Sequence, residues 1–345
     1  MQNSLIQWEF FPDWETFGIP DFSTPIPEWP FDVNLGWITE YFYPLSLHGG
    51  FPIAIAIVYF CSVHYLNTVV QKRQIKQFKA THPKEEIPKN LKKLPAAPYA
   101  ITKMFFFKPL VLLHNILLCV YSVWTFIGFI KTISYVSNNL TPLNFKNFDI
   151  FKSDMFWQCM CNENDGFPIW SNYDAANLKG LTFWGYLFYL SKYYEIIDTI
   201  IILLKGRPSS LLQSYHHSGA ILCMWSGVRY MSSPIWIFVV FNSFIHSIMY
   251  GYFTLSCLKI RVPKIFKQSL TTMQITQFIV GGSLAMAHLF IKYLNTKHDG
   301  YLSCIDSPEK ALAVYLNVFY LAPLTMLFAS FYIDSYRKQQ KMKKK

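Results

Sequence analysis

Six residues of this chain stand where a hydrocarbon core would normally refuse them, and their types suit acyl and proton-transfer chemistry. The apolar run LTFWGYLFYLSKYYEIIDTIIILL, residues 181–204, carries Lys192, Glu195 and Asp198. Its neighbour LLQSYHHSGAILCMWSGVRYM, residues 211–231, carries Gln213, His216 and His217. An ionisable group deep in a span costs roughly 2.5 to 3.5 kcal/mol on insertion scales, so such groups face a protein interior or a wet cavity and mark a functional site.

Helical spacing gathers more polar residues into the same pattern. At about 100° per residue, Lys192, Glu195 and Thr199 fall on one stripe with Asp198 beside it. Gln213, His216 and His217 share a face of the next segment; Asn242, His246, Met249 and Tyr250 share one on a third, and Thr271, Gln274 and Gln277 recur every three residues on a fourth. Four polar stripes predict one shared cavity that opens toward the cytosol. Within it, a neutral imidazole is basic enough near pH 7 to attack a thioester or take a proton. Lys192, Asn242 and Gln274 would stabilise a developing oxyanion or enolate. For Lys192 and Glu195 the competing reading is a structural ion pair that stitches the bundle together. A second chemistry is metal: QSYHH echoes the histidine boxes of membrane iron desaturases and hydroxylases. Only His216, His217 and His246 gather, however, and Glu195 and Asp198 leave the ligand count thin. His48, His64, His82, His114, His288 and His298 read as dispersed, so no metal site is assigned.

The elements that must position these groups follow from composition. With 52% apolar and 18% aromatic residues in 345, the chain is too hydrophobic for an ordinary soluble domain. Apolar windows at 50–70, 109–130, 181–204, 211–231, 234–257, 273–293 and 311–333 are each long enough to cross a bilayer. The expected fold is therefore all-α, a polytopic membrane protein with seven transmembrane helices. No window shows the alternating strands of a membrane barrel. The net charge of +11 is explained by topology, and nucleic acid is not an expected partner. Residues 1–49 carry seven carboxylates (Glu9, Asp13, Glu15, Asp21, Glu28, Asp32 and Glu40) and no Lys or Arg. Connection 71–108, the pairs and clusters Lys205, Arg207, Lys259, Arg261, Lys264 and Lys267, and the tail from Arg337 hold 22 of the 31 basic residues. The positive-inside rule then places the N-terminus in the lumen and the C-terminus in the cytosol, which requires an odd number of spans.

The expected organisation is a lumenal aromatic and acidic arm at 1–49, a membrane domain at 50–333 and a cytosolic basic tail at 334–345. The start lacks the pattern of a cleaved signal peptide, so the first span is expected to insert the chain. The terminal Lys341, Lys343, Lys344 and Lys345 match a dilysine signal for return to the endoplasmic reticulum, or alternatively a polybasic surface anchor. Cys61, Cys119, Cys223 and Cys257 lie in spans as small core residues. Cys159, Cys161 and Cys304 fall in lumenal connections, where Cys304 can pair with either of the other two or all three can stay free. Asn139 opens a glycosylation acceptor close to a span end. The aromatic arm, with Trp8, Trp14, Trp29 and Trp37, reads as lying at the lumenal interface.

Four stretches in order, KYYEIIDT at 192–199, QSYHH at 213–217, NSFIHSIMY at 242–250 and TTMQITQ at 271–277, resemble the signatures of the ELO family of very long chain fatty acid elongases. The resemblance implies a 3-oxoacyl-CoA synthase of the endoplasmic reticulum membrane, joining malonyl-CoA to a long-chain acyl-CoA with release of CO2 and CoA. By motif position His216 is the candidate nucleophile, forming an acyl-imidazole in a ping-pong scheme, or alternatively a base in direct condensation. His217 and His246 assist proton transfer or decarboxylation; Asn242, Lys192 and Gln274 act on carbonyl groups; Glu195 and Asp198 orient Lys192 and the histidines. Tyr250, Gln213 and Gln277 complete the candidate set. Lys205, Arg207, Lys264 and Lys267 suit the phosphates of CoA, although the positive-inside bias explains them equally. The family implies no permanently bound cofactor and a ketoacyl reductase, a dehydratase and an enoyl reductase as partners; a homodimer is compatible with it. Most members carry His where this chain has Gln213, and the Gln form resembles a subset of elongases, several of which act on polyunsaturated chains. Receptor and transporter readings remain as non-enzymatic alternatives, although a transporter would usually show internal repeats.

Overall fold

A computed structural model of the chain describes residues 5–138, 153–161, 168–295 and 300–337. Asn139, His298 and the tail lysines from Lys338 lie outside the described residues, and with them the glycosylation and retrieval readings. The helices are α1 (Tyr43–Leu47), α2 (Gly50–Thr81), α3 (Phe107–Asn138), α4 (Ser153–Cys161), α5 (Leu181–Tyr194), α6 (Ile196–Leu204), α7 (Leu211–Arg229), α8 (Ile235–Cys257), α9 (Lys264–Ala287) and α10 (Pro308–Tyr332). Four are long and apolar enough to cross a bilayer: α2, α3, α8 and the continuous stretch Pro308–Tyr336 that contains α10. Their outward faces carry exposed Ile57, Val58, Leu110, Val120, Phe319 and Met326, a surface suited to hydrocarbon rather than to water.

Three expectations are corrected. The window 181–204 is not one helix but two, because the backbone tightens at Glu195, where φ is −63° and ψ −15°. The Glu195 amide closes α5 on the Ser191 carbonyl, and its own carbonyl receives the Asp198 amide at 3.1 Å to open α6. The sixth window stops short, since α9 ends at Ala287 and residues 291–295 form a strand. The fold is therefore mostly helical rather than all-α: β1 (Ile6–Trp8), β2 (Ile291–Asn295) and β3 (Gly300–Ser303) make an antiparallel sheet in the order β1-β2-β3. Ile291, Tyr293 and Asn295 alternate inward while Lys292 and Leu294 stay partly exposed, which is the period of a half-buried strand. This sheet packs with Trp157 on α4 beside the disulfide Cys161–Cys304, which selects one of the two pairings left open by the sequence. Cys159 stays a buried free thiol.

Packing arranges α3, α5 with α6, α7, α10, α9 and α8 as a closed ring in which each segment contacts the next and α8 returns to α3. Helix α2 lies outside the ring against α7 and α6. Local sequence fixes the ring at the end where α7 begins. Ser210 caps α7 by accepting the Gln213 amide at 3.2 Å. Asn67 on α2 holds the preceding turn through both its amide groups, donating to the Ser209 carbonyl at 2.9 Å and accepting from the Ser209 amide at 2.7 Å. Gly206 turns the chain with φ +70°, and a Cβ there would stand 2.1 Å from the Ala97 carbonyl carbon. The close approach lets segment 97–99 pair with the turn, Ala97 N–H on Gly206 O and Tyr99 N–H on Leu204 O, both at 3.1 Å.

Candidate active site

The ring encloses a cavity of about 880 Å³, lined from all six segments and by no residue of α2. Gln213, His216 and His217 reach it from α7, Asn242, His246, Met249 and Tyr250 from α8, Gln274 and Gln277 from α9, and Asp198 from α6. Three of the four stripes predicted from spacing thus reach one space, and the first reaches it only through Asp198, the residue beside it. Lys192 and Glu195 stand behind the wall, both buried. The fourth stripe is only partly inward, for Thr271 is absent from the lining and bonds the Lys267 carbonyl at 3.0 Å.

Charge pairing organises the wall. Lys192 Nζ donates to Glu195 Oε1 at 2.7 Å and to Asn242 Oδ1 at 2.9 Å, and lies 3.9 Å from the centre of the Phe188 ring. Two of its three protons are therefore committed, and it acts by holding Asn242. With its carbonyl oxygen taken, Asn242 presents its amide NH2 to His246 Nε2 at 3.2 Å. His246 Nδ1 then faces Glu195 Oε1 at 3.6 Å. The same logic governs His217. Gln213 Nε2 donates to Thr199 Oγ1 at 3.5 Å and to His217 Nε2 at 2.9 Å, which leaves His217 Nδ1 to carry the proton toward Glu195 Oε2 at 3.9 Å. One buried carboxylate thus collects an ammonium and two imidazole edges.

His216 is arranged differently. Its Nδ1 lies 2.9 Å from the Tyr320 hydroxyl on α10. Among the described residues its Nε2 meets no protein donor, and the ring borders both the large cavity and a small apolar one. Of the three gathered imidazoles, it alone has a nitrogen that faces neither a side-chain amide nor the Glu195 carboxylate.

Two participants escape a reading of the sequence. His114, counted there as dispersed, comes from α3 to place Nε2 2.9 Å from Asp198 Oδ1. The other oxygen of Asp198 accepts the Tyr250 hydroxyl at 2.6 Å, so Asp198 orients His114 and Tyr250 and not the three gathered histidines. The rule that flagged the other buried ionisable residues applies equally to His114 inside the 109–130 window. Tyr320 carried no such signal, being one aromatic among many in an apolar run.

The predicted phosphate-binding residues separate. Lys205 lines the cavity mouth, together with Lys108 and Lys259, while Arg207, Lys264 and Lys267 are exposed away from the lining. Lys264 and Lys267 lie over the rings of Tyr336 and Tyr252 at 5.9 and 5.4 Å. Among the described residues no three His, Cys, Asp or Glu side chains are disposed to hold one metal ion.

Beyond His216 the cavity narrows. A void of only about 40 Å³ continues between Phe188, Met224, Phe238, Phe241, Phe278 and Leu321. Phe238 and Asn317 separate it from a further void of about 10 Å³ lined by Gly227, Pro234, Ala285 and Val314. The site therefore has a cationic mouth, a polar waist and an apolar end.

Comparison with known proteins places the sequence in a family. The sequence model described as "ELO: GNS1/SUR4 family" matches residues 44–344. "Fatty acid elongase 2" of Trypanosoma brucei brucei is 34% identical over 164 residues, 47% of this chain and 59% of the relative. "Fatty acid elongase sre1" of Dictyostelium discoideum is 32% identical over 189 residues, 53% of this chain and 66% of the relative. "Long chain fatty acid elongase 1" of Caenorhabditis elegans is 35% identical over 155 residues, 45% of this chain and 51% of the relative. The chain spans about half to two thirds of the length of these curated relatives. No solved structure matches it. Because the family match extends over all four motifs and the whole ring of helices, the chain belongs to the ELO (GNS1/SUR4) family.

Proposed function

We propose that this protein is a fatty acid elongase that condenses malonyl-CoA with a long-chain acyl-CoA. The observation that carries the reading is the open Nε2 of His216 between a cationic mouth and an apolar end. In the first half-reaction Nε2 attacks the thioester carbonyl, the carbon–sulfur bond breaks, and CoA thiolate leaves to take a proton from water. In the second, malonyl-CoA loses CO2 and its electron pair passes to the thioester enolate. The enolate carbon attacks the acyl carbonyl, the bond to Nε2 breaks, and 3-ketoacyl-CoA leaves with the imidazole neutral again. Gln274 and Gln277 line the space where the carbonyl oxygens develop charge. Gln277 Oε1 is buried without a partner; as an acceptor it suits an N–H or O–H that the substrate brings, while the stabilisation of an oxyanion would fall to the amide NH2 groups.

Lys108, Lys205 and Lys259 at the mouth are suited to CoA phosphates. The acyl chain would enter the narrow end past Phe238. Seven spans with a lumenal N-terminus are supported by the segregation of the basic residues, and by a disulfide at the end of the molecule remote from the lysine mouth. Residence in the endoplasmic reticulum and work with a reductase, a dehydratase and an enoyl reductase follow from the same reading. Gln213 in the place of the commoner His supports a preference for polyunsaturated chains.

The test is condensation by the purified protein in detergent, with malonyl-CoA and a panel of saturated, monounsaturated and polyunsaturated acyl-CoAs. The 3-ketoacyl product is followed by mass, with and without a chelator. We expect product that survives chelation and is lost in His216→Ala. A folded protein that yields no product with any acyl-CoA contradicts the proposal.

A further inference from the structure

Tyr320 makes two contacts with one residue. Its hydroxyl lies 2.9 Å from the His216 backbone carbonyl oxygen and 2.9 Å from His216 Nδ1. A carbonyl oxygen only accepts, so the single phenolic proton is spent there. The contact to Nδ1 is then a hydrogen bond only if Nδ1 carries the proton and donates it to the hydroxyl oxygen. A neutral imidazole has one N–H. With that proton held at Nδ1, the lone pair must lie on Nε2, the nitrogen that borders the cavity.

The seat of Tyr320 is shaped by a second feature. Gly219 lies one turn beyond His216 on α7, and a Cβ built there would stand 2.2 Å from one carbon of the Tyr320 ring and 2.3 Å from another. Real Cβ atoms do not approach so closely, so the ring reaches His216 because residue 219 has no side chain. Tyr215 stacks on the other part of the ring, with centroids 5.6 Å apart and planes at 26°, and its hydroxyl donates to the Tyr320 carbonyl at 3.3 Å. Three residues of α7 thus serve to bring one phenol to one imidazole.

We infer that Tyr320, admitted by Gly219, is the positioning residue that fixes the tautomer of His216 so that Nε2 is the nucleophilic nitrogen. The inference rests on the elongase reading for its consequence and on the hydrogen-bond geometry alone for its substance. When Nε2 takes an acyl group the ring becomes cationic, and the Nδ1–H bond to Tyr320 strengthens as charge develops. The interaction is then stronger in the transition state than in the free enzyme, which is the condition for raising kcat.

The experiment uses the full chain in detergent with the variants Tyr320→Phe and Gly219→Ala. The first deletes the hydroxyl and keeps the ring; the second keeps the hydroxyl and displaces the ring. Diethyl pyrocarbonate modifies an unprotonated imidazole nitrogen, and peptide fragment masses, which separate His216 from His217, give the rate at His216 relative to the exposed His82. Both variants should slow modification of His216 against His82. With malonyl-CoA and acyl-CoA, kcat should fall roughly ten- to a hundredfold in both, the range for losing a hydrogen bond to a charged group, with KM for either substrate unchanged. An unaltered rate of His216 modification in Tyr320→Phe overturns the inference whatever happens to turnover. If the unmodified protein condenses nothing but the modification rate still responds, the elongase reading fails and the tautomer assignment stands.

Discussion

Glu195 is the residue on which the site's electrostatics converge, since it faces Lys192, His217 and His246 from a fully buried position. Removing one partner of such a pair strands a charge that the interior cannot solvate, at a cost of about 3 to 5 kcal/mol. Lys192→Met should therefore lower the melting temperature sharply and release Asn242 from its orientation. The double replacement Lys192→Met with Glu195→Leu should recover most of the lost stability while remaining inactive. A double variant no more stable than the single one would show that the pair is not what Lys192 satisfies. The sequence named both residues because charges in an apolar run are conspicuous. Motif position singled out His216 as the candidate nucleophile, but helical spacing alone did not distinguish the three histidines. Their roles diverge through neighbours up to 104 positions away, as with Tyr320 and His216, and no local pattern reports such a distance.

At the scale of elements, the periodicities that placed the stripes also set their limits. Spacing located the inward faces of α7 and α8, because the 3.6-residue period holds along an unbroken helix. It misjudged residues 288–293, where the apolar run continues but the helix ends in a tighter turn at His288–Phe290 and a strand's alternation begins at Ile291. The sheet this strand joins is fastened to the N-terminal arm by Asp13, whose Oδ2 accepts the Ser303 hydroxyl at 2.6 Å. That bond, with the Glu15 amide and Lys292 helping, holds the Asp13 carboxyl below its ordinary value. A lowered carboxylate pKa means that the stabilisation is present above the unfolded-state value and is lost as pH falls through the folded one. Ser303→Ala should accordingly lower the melting temperature at neutral pH and have progressively less effect as Asp13 protonates. An effect of equal size at acid pH would contradict this assignment. Breaking Cys161–Cys304 by Cys304→Ser should loosen the same sheet, for the bond closes a separation of 143 residues. We expect a stability loss of about 2 to 5 kcal/mol, seen in melting under non-reducing conditions, with the condensation rate of the folded fraction retained. A loss confined to activity would contradict a structural role.

At the scale of the whole molecule, the closed ring turns residues scattered over four motifs into one cavity with a direction. Phe238 stands between the two small voids at its narrow end. Phe238→Ala should join them and shift the longest accepted acyl chain upward by about one elongation step or more, since each buried CH2 adds about 0.8 kcal/mol. The product ladder by mass checks this, and an unchanged ladder would place the chain end elsewhere. Composition and charge made the membrane character legible, and four ordered motifs made the family legible. The ring was not legible, because the pairing of α3 with α8 and of α7 with α10 is set by packing complementarity and not by proximity in the chain.

The central claim is that His216 carries the acyl group. The direct measurement is peptide mass of the protein quenched after brief exposure to a long-chain acyl-CoA without malonyl-CoA, and again after malonyl-CoA is added. The account predicts an acyl mass that peptide fragmentation assigns to His216 rather than to the adjacent His217, absent in Tyr320→Phe quenched at the same early time and discharged as 3-ketoacyl-CoA by malonyl-CoA. Steady turnover with no adduct at His216, or an adduct on His217 or His246 instead, would contradict it.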